Sequence, residues 1–183
     1  SPNIVFADAP DLEEAAKVAA HGIFRNSGQV CVAGSRLLVE ASIHDDFVAA
    51  VVKVAEAMRV GDPLQVDTMI GAINSEAQLK QNLNFVETAQ SEGGDVVTGG
   101  DRILTDTGGY YMAPTVVTGV APNATLAQKE VFCPVLGVTA FDAEEEAVHL
   151  ANLTAYGLAG AVWTANLSRA HRMISAVRTG VMH

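Results

Sequence analysis

The sequence predicts an α/β fold, a three-layer αβα sandwich around a largely parallel sheet. Three observations predict it. Segments of helical and strand character alternate along the chain, which is the pattern of a sheet covered on both faces. The clearest strand, around Leu37-Leu38-Val39, is a continuous apolar run rather than an alternating one, as expected of a strand with no solvent face. The 183 residues, 49% of them hydrophobic, are enough to bury one substantial core.

The first helix is expected over Asp11 to about Ile23, where Leu12, Ala15, Ala16, Ala19 and Ile23 recur at spacings of three and four. Asp11 suits the N-cap, and Glu13 and Glu14 suit the positive first turn. Ser35 to Glu40 follows as a buried strand. Ile43 to Met58 returns to helical period through Phe47, Val48, Val51, Val54, Ala55 and Met58, until Gly61-Asp62-Pro63 stops it. Ser75 caps a helix running to about Glu92, closed by Gly93-Gly94. Asp95 to Thr98 is a short strand and Gly99-Gly100 a turn. Tyr110 to Val117 is extended but interrupted by Pro114, which suits an edge or an irregular stretch better than a central strand. Val135 to Phe141 and Gly160 to Thr164 are strands, and Ala143 to Asn152 and Ser168 to Val177 are helices. The chain then runs into a further strand at Gly180-Val181-Met182-His183.

Composition narrows the partners. A net charge of −10 disfavours nucleic acid and anionic membrane surfaces, which repel an acidic protein instead of exchanging counterions with it. No apolar run approaches the ~20 residues of a bilayer span. The two cysteines, Cys31 and Cys133, have no CxxC or Cys/His ligand spacing, and the five histidines are scattered. Neither a disulfide framework nor a metal site is expected, and a reducing, cytoplasmic setting fits best.

One segment points to chemistry. In Phe24-Arg25-Asn26-Ser27-Gly28-Gln29-Val30-Cys31-Val32-Ala33-Gly34-Ser35-Arg36 a thiol lies in a glycine-flanked loop between a helix and a strand. Gly28 and Gly34 are expected to allow backbone conformations closed to other residues, and a close approach of main-chain N–H groups to an oxyanion. A thiolate attacks an aldehyde readily, and the resulting thiohemiacetal can yield hydride to a nicotinamide and leave a thioester. Against this stands the ordinary fate of a single cysteine, which is to pack as a small buried hydrophobe. Phe24, Gly28, Gln29 and Cys31 favour the reactive role, because their spacing resembles the active-site signature of the aldehyde dehydrogenase family.

A second stretch, Gln128-Lys129-Glu130-Val131-Phe132-Cys133-Pro134-Val135, resembles that family's Glu-Glu-Ile-Phe-Gly-Pro-Val segment. The resemblance implies that Glu130 holds the nicotinamide ribose hydroxyls and that Phe132 packs beside the nicotinamide. Read alone, Glu130 is a solvated carboxylate and Phe132 a core aromatic. Cys133 stands where the family has glycine, which is harmless only if that position has an ordinary φ. Ser1-Pro2-Asn3-Ile4-Val5-Phe6, Ala151-Asn152, Tyr156-Gly157-Leu158, Ser168-Arg169-Ala170-His171 and Gly180 extend the resemblance over nearly the whole chain. The Phe24 to Arg36 stretch, Glu130 to Val135 and Ala161 to Thr164 look closest to bacterial enzymes acting on aminoaldehydes, such as γ-glutamyl-γ-aminobutyraldehyde dehydrogenases.

The resemblance implies that residues 1–183 are an incomplete catalytic, thiol-bearing domain, without the Rossmann domain that holds most of NAD or NADP. It implies a small-molecule aldehyde as substrate and a homo-oligomer, dimer or tetramer, in the whole enzyme. The family's general base lies in a Glu-Leu-Gly-Gly-Lys segment, and Ser1 corresponds to the residue after its lysine. Turnover needs that base and a bound nicotinamide. The 183-residue chain on its own is therefore expected to show no aldehyde-dependent NADH formation, and an appreciable rate in that assay contradicts the expectation. A CoA-acylating dehydrogenase, in which a thiol resolves the thioester, is the alternative within the family. A non-catalytic scaffold of the same fold is the alternative outside enzymology; the intact Phe24 to Cys31 signature and Glu130 argue against it.

Overall fold

In the computed structural model, which describes residues 1–183, nine strands and six helices follow one another in the order β1 (Pro2–Val5), α1 (Leu12–Phe24), β2 (Arg36–Glu40), α2 (His44–Ala57), α3 (Glu76–Ser91), β3 (Asp95–Thr98), β4 (Arg102–Ile103), β5 (Tyr111–Met112), β6 (Thr115–Thr118), α4 (Thr125–Gln128), β7 (Val135–Phe141), α5 (Glu144–Ala151), β8 (Ala159–Trp163), α6 (Leu167–Ala176) and β9 (Val181–Met182). The caps read from the sequence form. Asp11 accepts from Glu14 N–H and Ser75 from Gln78 N–H, each satisfying a donor that the first helical turn leaves unpaired. Gly93, just past the end of α3, takes φ +94°.

Seven strands make one sheet in the order β3-β6-β7-β2-β1-β8-β9. Every neighbouring pair is parallel except β3 and β6, so the largely parallel sheet is as expected. The strand pleat sorts the apolar side chains onto two faces. Val5, Leu37, Val39, Val116, Leu136 and Val138 face α1 and α2 in one core. On the opposite face Ile4, Phe6, Leu38 and Phe141 meet α5 and α6, while Val117 and Val135 meet α3 and α4. Leu37, Leu38 and Val39 are at most 2% exposed. Buried side chains of that size stabilise by roughly 1.5–3 kcal/mol each, which is why consecutive apolar residues are needed in a strand covered on both sides.

The Tyr110 to Val117 segment is interrupted before Thr115, as Pro114 suggests, and its two halves belong to different sheets: β5 pairs with β4 in a separate two-stranded sheet, and β6 enters the main sheet. Of the two placements expected for Pro114, an edge or an irregular stretch, the second is found: the proline lies between β5 and β6, where no ladder N–H is lost, and β6 itself is interior, flanked by β3 and β7. At the other end of the sheet, Arg169 binds α6 to its neighbours: it pairs with Asp8 at 2.9 Å and Glu144 at 3.4 Å and stacks over Phe6, 4.4 Å from the ring centre. No helix is long and apolar enough to cross a membrane.

Candidate active site

Four segments that line the cavity at Cys31 each lead into a sheet strand. Ser1 leads into β1, the Cys31 loop into β2, the Lys129 to Pro134 segment into β7, and Thr154 to Leu158 into β8. The cavity, about 250 Å³, therefore sits outside the amino ends of four adjacent strands. Cys31, Glu130 and Phe132 all line it.

The Cys31 loop begins where α1 ends. Asn26, Ser27 and Gly28 have φ of 52°, 57° and 66°, three left-handed residues in succession. Two of them are not glycine, so the turn holds strain that surrounding bonds must offset. Ser27, 2% exposed, donates from Oγ to Gly71 O at 2.8 Å, and Gln29 Oε1 accepts from Asn74 N–H at 3.1 Å. Gly28 is required for a further reason: a Cβ there would lie 2.0 Å from Cys133 O. The two stretches singled out in the sequence thus touch, backbone to backbone. Gly34 differs from expectation. Its φ is ordinary and an added Cβ would meet nothing closer than 3.7 Å, so its role is not conformational.

Cys31 itself is exposed at the cavity, not packed as a core hydrophobe. The turn around it closes through Ala33 N–H and Val30 O at 3.0 Å, leaving the Cys31 N–H with no acceptor in the chain. An uncommitted amide beside a thiol can donate to an oxygen developing charge on a carbon attached to that sulfur.

From Glu130 to Cys133 the chain alternates outward and inward. Glu130 and Phe132 are exposed, Phe132 at 37%, while Val131 and Cys133 are 3% and 1% exposed in the core shared with α3 and α4. Phe132 has φ 59°, an uncommon geometry for an aromatic residue, and its ring is turned out of the core toward the cavity. Cys133 has an ordinary φ, so cysteine in place of glycine carries no backbone strain. Burial pushes its thiol well above the ordinary thiol range, since the thiolate loses hydration there. Iodoacetamide at neutral pH is thus expected to label Cys31 and spare Cys133 in the folded protein, read by peptide mass spectrometry; labelling of Cys133 at a comparable rate contradicts the assignment.

Sequence reasoning gave no role to Arg36, Tyr156 or Leu158, which also line the cavity. Arg36 donates to Leu150 O at 2.5 Å and Ala151 O at 3.3 Å, the last carbonyls of α5. A cation at a helix carboxyl end is favoured by the helix dipole, and burial pulls its pKa down without discharging it. Tyr156 and Leu158 are 52% and 51% exposed, an apolar margin to the cavity. A glycine between them was the available sign: a Cβ on Gly157 would lie 2.7 Å from Arg178 O. No group of three or more His, Cys, Asp or Glu side chains is placed to hold a metal ion.

The fold is thus a largely parallel α/β domain that presents a thiol, a carboxylate and an aromatic ring to one cleft. The chain belongs to the aldehyde dehydrogenase family, whose model matches residues 1–183. It is 45% identical over 180 residues to the NADP/NAD-dependent aldehyde dehydrogenase PuuC of Escherichia coli K12, covering 98% of this chain and 36% of that protein. A crystal structure of indole-3-acetaldehyde dehydrogenase complexed with NAD+ superposes with a TM-score of 0.98 at 49% identity, covering 100% of this chain and 37% of that one. The γ-glutamyl-γ-aminobutyraldehyde dehydrogenase of Burkholderia cenocepacia J2315 gives a TM-score of 0.96 at 47% identity over 100% of this chain and 36% of its own. The chain thus spans little more than a third of the length of these relatives.

Proposed function

We propose that Cys31 is the nucleophile of an NAD(P)-dependent oxidation of an aldehyde to a carboxylic acid, performed by the whole protein of which residues 1–183 form part of the catalytic domain. The observation that supports it most is the convergence of Cys31, Glu130 and Phe132 on one cavity. The thiolate of Cys31 adds to the aldehyde carbon, forming a C–S bond and moving the carbonyl electron pair onto oxygen. The free Cys31 N–H donates to that oxygen. Collapse of the oxyanion expels hydride and leaves a thioester on Cys31; water then releases the acid and restores the thiol. The nicotinamide cofactor, when bound, supplies the hydride acceptor.

The residues present fit one end of such a cofactor. An exposed carboxylate can accept two hydrogen bonds from a ribose diol, and the outward Phe132 ring offers a flat apolar face for a nicotinamide. The cavity of about 250 Å³ falls below the ~300–1,000 Å³ of a complete small-molecule site, so these walls enclose only part of a dinucleotide. We assign the remainder of the site to the Rossmann domain that the family resemblance implies. We take the whole protein to be a homo-oligomer of a bacterial cytoplasm acting on a small aminoaldehyde: the similarity to a γ-glutamyl-γ-aminobutyraldehyde dehydrogenase supports the substrate class, and two unpaired cysteines support a reducing setting.

Glu130→Ala in the full-length protein is expected to raise KM for NAD(P) about tenfold or more, because two hydrogen bonds to a charged group are lost. Cys31 alkylation without cofactor should be unaffected. Steady-state kinetics at varied cofactor tests this, and a KM within about twofold of wild type removes Glu130 from the role.

A further inference from the structure

The irregular segment between α2 and α3 belongs to no part of the mechanism above, yet it touches both loops of the site. Ile70 is fully buried in the core under α1 and α2, and Ile73 is 2% exposed in the core under α3 and α4, so the segment is pinned at two points. Ile73 N–H also donates to Tyr110 O at 2.7 Å, and Ser75 caps α3. From this fixed base three side-chain bonds run outward. Ser27 Oγ donates to Gly71 O, Gln29 Oε1 accepts from Asn74 N–H, and Gln78 Nε2 donates to Val131 O at 3.2 Å. The first two hold the strained turn before Cys31; the third holds the residue between Glu130 and Phe132. Gln78 is itself oriented by Asn82 Oδ1, which accepts from the same Nε2 at 2.7 Å, and Asn82 is fully buried.

The geometry points to Ser27, Gln29 and Gln78 as positioning residues that tie the Cys31 loop and the Glu130 loop to one rigid bracket, residues 70–78, and so set the distance between nucleophile and cofactor. This rests on the proposed roles of Cys31 and Glu130. Neither loop could hold its shape alone. The Cys31 turn has two non-glycine residues at positive φ, and the other loop has Phe132 at φ 59°. Such conformations persist only where neighbouring structure over-determines them. A misplacement of about 1 Å between reacting groups can cost about 100-fold in rate, so small relaxations are visible kinetically.

The test is steady-state kinetics of the full-length protein, with kcat expressed per alkylatable Cys31 so that unfolded molecules are not counted. Ser27→Ala and Gln29→Leu are expected to lower kcat about tenfold with KM for NAD(P) within about twofold of wild type. Gln29→Glu keeps the acceptor and should recover most of that loss. Gln78→Met is expected to raise KM for NAD(P) severalfold with the smaller change in kcat. Wild-type kcat in both Ser27→Ala and Gln29→Leu overturns the bracket, as does a Gln29→Glu enzyme as impaired as Gln29→Leu or a Gln78→Met change confined to kcat. A wild-type protein without Cys31-dependent turnover overturns the functional reading first and the bracket with it, which separates the two failures.

Discussion

Exchange of Cys31 for serine is expected to end the proposed aldehyde-dependent NAD(P)H formation by the full-length protein, with kcat falling by at least about 10⁴-fold. A hydroxyl of nearly the same size leaves the loop geometry intact but ionises far less readily than a thiol, so the attack on the carbonyl carbon fails at its first step. Stability should move by no more than about 0.5 kcal/mol, because the Cys31 side chain is exposed and removes no core volume. Cofactor absorbance measured beside a thermal melt gives both quantities. A folded Cys31→Ser enzyme with a tenth of wild-type activity places the nucleophile elsewhere.

Gly28→Ala carries the largest structural effect expected of any single methyl group in the chain. The new Cβ meets Cys133 O at 2.0 Å, its carbonyl carbon at 2.3 Å and Pro134 N at 2.8 Å, all of them backbone atoms that cannot swing aside. The segment they belong to is fixed by the buried side chains of Val131 and Cys133. Alanine at φ +66° adds strain of its own. A loss of about 3 kcal/mol or more is expected in urea unfolding, with turnover lost as the two loops part. Gly34→Ala is the control: its Cβ makes only ordinary contacts, and it should cost less than about 1 kcal/mol. Equal stability of the two variants contradicts the close approach of the loops.

The regular framework was legible because its signals are local. Asp11 and Ser75 sit one residue before periodic apolar runs, and Leu37-Leu38-Val39 can be accommodated only by a strand covered twice. Elements too short to show a period were not legible: β4 and β5 have two residues each and α4 has four. Pro114 left an edge and an irregular stretch both open, because its cost depends on whether its missing N–H faces a partner, which the strand boundary decides and the residue type does not. Gly34 misled, since a glycine permits a left-handed φ without requiring one. In the site, Cys31, Glu130 and Phe132 were named through family resemblance, and their shared cavity follows from long-range pairing that no local pattern encodes. Residues 70–74 escaped notice, because an irregular segment that works through the Gly71 carbonyl and the Asn74 amide leaves no chemical signature in its side chains, and the contact of Gln78 with Val131 spans a distance along the chain that no helical pattern reveals.

That the cavity opens at the amino edge of the sheet has an electrostatic consequence. The chain arrives there from the carboxyl ends of α1 and α5, which present the partial negative charge of the helix dipole. Diphosphates settle at the opposite pole of a helix, on its unpaired amide hydrogens. Arg36, a cation at hand, is already engaged with the α5 carbonyls. On the proposed function, the wall formed by these two helix ends suits the uncharged, reactive tip of a dinucleotide better than its anionic middle, and the exposed Lys129 marks the side of the same cavity where a phosphate would be received.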